Sequence, residues 1–199
     1  MATFSKTQGT SVLSLQSVSA NSVVKSNPID VSTKIAVSIF VHFGRRSASS
    51  GTAGVRIRLE ASSKSSGDEH WYPLLTFESN FAAVESEAVS GAVSSGTNVI
   101  TVASTSNLTA GDLIYIDNGT IGNSAWARIK SIVSNTSVTI EDNLVNAQTG
   151  STIYDGAEMF SFPNIRCEAI GRLRLVVDGS SFTQAFAIEA HMVTTDSIG

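Results

Sequence analysis

Residues from Lys34 onward alternate with a period of two. Ile35, Val37, Ile39, Val41 and Phe43 are interleaved with Ala36, Ser38, Phe40 and His42, and Gly44 ends the run. That period predicts a half-buried strand. After a Ser/Gly loop, Arg45 to Gly54, the alternation returns with Val55, Ile57 and Leu59 inward and Arg56, Arg58 and Glu60 outward. The two runs are expected to pair antiparallel with one wet face. His70 to Phe77 reads as a third strand, which Pro73 confines to an edge or a bulge because proline has no N–H to donate. Toward the other end, Arg172 to Asp178 and Thr183 to Val193 are strands, the second carrying Phe186, Ile188, Ala190 and Met192 on one face. Neither group has enough strands to close a core alone, so together they predict one β-sandwich.

Between these halves the spacing shortens. Runs at 98–102, 113–117, 126–133 and 137–140 are separated by Gly-Asp, Asn-Gly and Asn-Thr turns. Short, evenly spaced strands predict a small barrel of about five strands. The expected organisation is an arm at 1–30, sandwich halves at 31–90 and 158–199, and a small inserted barrel at 91–157. The arm and the tail from Thr194 to Gly199 are rich in Ser, Thr and Asn, so both are expected to order only against a neighbour. The one stretch with helical propensity, Phe81 to Val89, also reads as extended linker.

Composition supports an all-β chain. Ser and Thr supply roughly a quarter of the residues, and charged residues only 15%. Hydroxyl side chains compete with helix backbone bonds but suit pleated surfaces and turns. A net charge of −4, with 13 scattered Lys and Arg, argues against nucleic acid as the main partner. Cys167 is the only cysteine, so no internal disulfide forms, and its apolar neighbours predict a buried structural thiol. No signal peptide is expected from the Met-Ala-Thr-Phe-Ser opening, and no apolar run is long enough to span a membrane. The expected site of folding is therefore a cytoplasm.

Candidate chemistry is sparse. There is no glycine-rich phosphate loop and no nucleophile elbow. His42, His70 and His191 lack metal-ligand spacing, and His42 and His191 fall on outward strand faces. Gly67 to Trp71 gathers Asp68, Glu69 and His70 in a loop that reads as polar surface rather than a cation site. Asp112, Asp117 and Asn118 lack the glycine and glutamate positions of a calcium loop and fit turn chemistry. Glu85 and Glu87 share one face of an extended segment without the cleft that glycoside hydrolysis uses. No catalytic residue, cofactor or metal ligand is expected. A candidate contact surface comprises Trp71, Tyr72, Trp126, Arg45 and Arg46, with Arg45 and Arg46 read mainly as a solvated turn.

The run from Asn98 to Ile116, with its Leu108-Thr-Ala-Gly-Asp turn, then Ala127 to Ile132 and Val138-Thr-Ile, resembles a small barrel module of phage tail, baseplate and capsid-decorating proteins. It covers about a third of the chain. The flanking sandwich resembles the immunoglobulin-like or jelly-roll folds that virion proteins often use. The resemblance implies a homo-oligomeric virion structural component: a head-decoration or cement protein, a neck or head–tail joining protein, or a tail protein, with decoration or joining preferred, folded in the host cytoplasm. Its implied partners are copies of itself and other virion proteins, with no nucleic acid or membrane. The alternative expectation is a carbohydrate- or receptor-binding module of a phage tail or cell surface, with Trp71, Tyr72 and Trp126 as its platform.

Overall fold

The computed structural model describes residues 4–46, 54–67, 70–79, 84–180 and 185–198, and it is almost entirely β. The first strands are β1 (Phe4–Val18), β2 (Val23–Lys25), β3 (Ile29–Asp30), β4 (Ala36–Arg45), β5 (Arg56–Ser62) and β6 (Tyr72–Glu78). The middle of the chain supplies β7 (Ser86–Ala88), β8 (Ala92–Val93), β9 (Val99–Thr101), β10 (Leu113–Asp117), β11 (Ala125–Val133), β12 (Ser137–Ile140), β13 (Gln148–Thr149) and β14 (Thr152–Tyr154). The last are β15 (Glu158–Arg166), β16 (Arg172–Asp178) and β17 (Phe186–Ile198).

Two antiparallel sheets enclose the larger core. One runs β1-β17-β4-β15; the other runs β2-β16-β5-β6, with β3 also on β16. The alternating residues meet between them: Ile39, Val41 and Phe43 of β4 and Ile188, Ala190 and Met192 of β17 share a cluster with Ile57 and Leu59 of β5 and Leu173, Leu175 and Val177 of β16. Each such side chain contributes about 1.5–3 kcal/mol by leaving water. Cys167 lies in the same cluster at 2% exposure, as its neighbours predict.

The strands β4 and β5 do not pair, contrary to the sequence expectation. β4 pairs with β17 and β15, and β5 with β16 and β6. Two strands with strong apolar stripes bury more surface facing each other across layers than lying side by side with one face wet. Pro73 sits where expected, on edge strand β6 and next to a register shift at Leu59/Glu60.

Residues 4–30 are not an arm. β1 pairs with β17 along its length, β2 and β3 pair with β16, and Val12, Leu13 and Val18 are in the core. Nor do residues 194–198 form a tail, since β17 continues through them.

The middle segment forms a six-stranded sheet, β7-β14-β10-β11-β12-β9. Its ends meet at a Val89–Val102 bridge, where Ser90 N–H also donates to Thr101 O at 2.8 Å. The rolled sheet encloses its own cluster, including Ile100, Ile114, Ile116, Ile129, Val138, Ile140 and Ile153. It begins at Ser86, a few residues before position 91, so residues 84–89 are extended rather than helical.

Candidate functional site: the seam at Trp126

Alternation in β10 sends Ile114 and Ile116 into the rolled sheet and Tyr115 out of it. Tyr115 is nonetheless 0% exposed, because it and its register partner Trp126 on β11 lie on the outer face of β4 and β17. The indole stacks on His42 at 5.6 Å and 19°, and Tyr115 leans on it at 4.6 Å. Trp126 Nε1 donates to Glu189 Oε2 at 3.0 Å, and Glu189 Oε1 lies 3.0 Å from His191 Nε2. An aromatic and carboxylate seam thus joins the two cores.

Gly44 does not end its strand, as the sequence suggested; it lies within β4. Its role is steric. A Cβ there would lie 2.7 Å from Trp126 Cζ3 and 3.1 Å from Tyr115 Cβ.

At the end of β4, Arg46 forms the second fastening. Its Nε donates to Asp117 Oδ2 at 2.7 Å, its Nη2 to Asp117 Oδ1 at 3.0 Å and its Nη1 to Ser17 Oγ at 2.6 Å. The bidentate fork raises the guanidinium pKa further above its usual value. Arg45 is buried at 2% exposure, and burial lowers its pKa while Glu158 opposes. The expected solvated Arg45-Arg46 turn is therefore corrected: Arg45 is buried at the end of β4, and Arg46 is fastened to Asp117 at the seam.

The seam is poorly solvated. Among the described residues, the buried His42 Nδ1 has no hydrogen-bond partner. Burial lowers the His42 pKa, with Glu189 opposing and His191 adding. Burial likewise raises the Tyr115 pKa. His42 does face outward from the sandwich, but Trp126 covers it.

The candidate contact residues separate into two places. Arg45, Arg46 and Trp126 lie at or beside the seam. Trp71 lies elsewhere, under the guanidinium groups of Arg172 and Arg174 at 5.0 and 4.2 Å, beside Tyr72 at the start of edge strand β6. Tyr72 is 62% exposed.

The remaining candidate chemistry resolves into local structure. Asp112 Oδ2 accepts from Thr109 N–H, and Asp117 Oδ1 accepts from Gly119 N–H, which are turn bonds. Asn118 Nδ2 donates to Gln148 Oε1. Glu87 is buried and accepts from Asn107 Nδ2, whereas Glu85 is exposed. Asp68 and Glu69 lie outside the described residues. Among the described residues, no cluster of three or more His, Cys, Asp or Glu stands where it could hold a metal ion.

Beside the seam is a cleft of about 320 Å³ between β1 and β17 on one side and β11 with residues 142–146 on the other. Sequence reasoning named Trp126 but missed His42, Gly44 and Glu189 as its partners. The only signal was a glycine inside an otherwise apolar strand, which marks a close approach.

No family model matches the chain, and no curated protein matches it. Solved structures of infectious bursal disease virus align over nearly the whole chain. The structure of the Gt strain gives 8% identity and a TM-score of 0.25, covering 98% of this chain and 41% of that one. The crystal structure of the VP2 subviral particle gives 10% identity and a TM-score of 0.22, covering 100% and 42%. The chain thus spans about two fifths of the length of those proteins. These values lie below those of a shared fold.

Proposed function

We propose that this chain is a structural component of a virus particle, and more narrowly a bacteriophage head-decoration or head–tail joining protein. It acts by packing against copies of itself and other virion proteins, without catalysis. The observation that carries this reading is edge strand β6. Its residues Tyr72, Leu74 and Leu75 are 62%, 42% and 43% exposed, and Met159 on β15, the edge strand of the other sheet, is 55% exposed. Phe77 of β6 stacks on Phe160 of β15 at 3.8 Å, so these edges lie on the same side of the sandwich. Apolar side chains gathered on an open edge are a liability for an isolated chain and a docking surface for an assembling one.

Weak net charge lets copies approach without strong self-repulsion. A single buried cysteine suits folding in a host cytoplasm. The resemblance of the 98–140 run to phage particle modules supports the narrower reading.

The test is self-association together with location. Sedimentation of the full chain should show oligomers at high micromolar concentration, and Leu75→Glu should shift them to monomer without changing circular dichroism. Immunogold labelling should place the chain on purified particles. A monomer at every concentration, absent from particles, would overturn the reading.

A further inference from the structure

We infer that the cleft beside Trp126 binds a short neutral saccharide. The inference is independent of the packing role of β6, which lies in the other sheet of the sandwich. At about 320 Å³, the cleft falls at the lower end of small-molecule sites, which run roughly 300–1,000 Å³. Its walls combine Leu15, Trp126 and Val145 with Asp142, Asn143 and Asn146. Apolar side chains beside convergent amides and a carboxylate match the two surfaces of a sugar ring, its C–H face and its rim of hydroxyls.

The polar groups are free for a ligand. Among the described residues, the side chains of Asp142 and Asn143 make no hydrogen bond or ion pair. Asn146 spends its Nδ2 on Gly122 O at 3.2 Å and keeps its Oδ1. The other charges of the lining are already engaged: Arg128 donates to Gly111 O, and Glu189 holds Trp126 and His191. One cation against two carboxylates disfavours phosphorylated, sulfated or acidic sugars, which points to neutral ones. At the rim, Val145 is 86% exposed, an apolar side chain with nothing over it.

Position adds a consequence. Leu15 and Glu189 come from β1 and β17 of the sandwich, and the rest from Ser124, β11, the end of β12 and the 142–146 loop of the rolled sheet, so a bound sugar lies between the two. Ligand occupancy should therefore raise thermal stability as well as perturb Trp126.

The chain has two tryptophans, so Trp71→Phe leaves Trp126 as the only indole. That variant would be titrated with maltotriose, cellotriose and chitotriose while Trp126 emission is followed. Calorimetry on the unaltered chain repeats the measurement without relying on that substitution. We expect saturable binding of at least one trisaccharide, weakened tenfold or more by Asp142→Ala with Asn143→Ala, and retained in Leu75→Glu. No saturable binding of any of the three by either method, or binding that the paired cleft substitution leaves unchanged, would overturn the inference.

Discussion

Gly44 and Trp126 approach so closely that a methyl group on Gly44 would lie 2.7 Å from the indole Cζ3. Tyr115 Cβ, at 3.1 Å, blocks the other way out. Both neighbours are held, the indole by His42 and Glu189 and the tyrosine by complete burial. Gly44→Ala should therefore cost about 1–3 kcal/mol through overpacking, or roughly 2–12 °C in Tm for a chain of this size. Trp126 emission should shift to the red as the ring is pushed toward water. Pairing the change with Trp126→Leu should recover part of the loss; a Tm for Gly44→Ala equal to that of the unaltered chain would rule out the close contact.

Arg46 and Asp117 fasten the same seam with a fork that is largely shielded, their side chains being 21% and 11% exposed. Arg46→Met removes the fork and leaves Asp117 with the Gly119 N–H. The expected loss is about 1.5–3 kcal/mol, the usual range for hydrogen bonds to a charged group. The urea midpoint measures it. Reversing both charges should return part of the stability, because Ser17 also contributes to holding the native arginine.

The parts of this fold that were legible in the sequence are the strands whose apolar residues alternate or run together between turns. β4, β10, β12, β16 and β17 carry clean alternation or bounded apolar runs. β1 does not, because Gly9 adopts φ 75° and several register shifts break its period, bringing neighbours Val12 and Leu13 both into the core. β15 is interrupted at Pro163 and at Asn164 (φ 54°), where its register with β4 slips. β2, β3, β7, β8, β13 and β14 are two or three residues long, too short for any period to register. The seam was hidden for a different reason. Trp126 meets Glu189 across 63 residues and Arg46 meets Asp117 across 71, and local patterns carry no information about such pairings.

His42 gives the seam a pH dependence. An unfolded imidazole protonates near pH 6.5, whereas burial under Trp126 keeps the folded one neutral to lower pH. Below about 6.5 the unfolded state binds a proton that the folded state refuses, so stability falls with pH until the folded imidazole also titrates. Asp196 acts in a separate window. Hydrogen bonds from Lys34, Thr194 and Thr7 lower its pKa from 3.8, so its contribution is present above that value and is lost as pH falls further. His42→Phe keeps a ring on the indole and removes the titrating group. Urea midpoints at about pH 7 and about pH 5 should differ less in His42→Phe than in the unaltered chain; an unchanged difference would place the titration elsewhere.

Cys167 should be silent in the native state. It is 2% exposed, burial raises its thiol pKa, and Sγ lies 3.5 Å from Ile165 O. Low thiolate content and no access both slow alkylation. Iodoacetamide should label the chain only after denaturant has opened the core. Rapid labelling of folded protein would mean that the β15–β16 connection opens locally.

The strongest test of the architecture is removal of residues 1–18. A dispensable arm could be cut away with little effect, but β1 lies along β17 with Thr10 opposite Met192 and Leu13 opposite Ala190. Deletion strips Val12, Leu13 and Val18 from the core and leaves β17 as an open edge. Each lost side chain removes about 1.5–3 kcal/mol of burial, against a total stability of roughly 5–15 kcal/mol for a typical domain. The truncated chain should be insoluble or lack the near-ultraviolet signature of packed aromatics, since Phe186, which meets Phe43 at 5.2 Å, lies opposite Val18. Leu13→Ala gives a graded version, with an expected loss of about 2–5 kcal/mol. A soluble truncated chain with native circular dichroism and an unchanged urea midpoint would mean that the sandwich closes without β1.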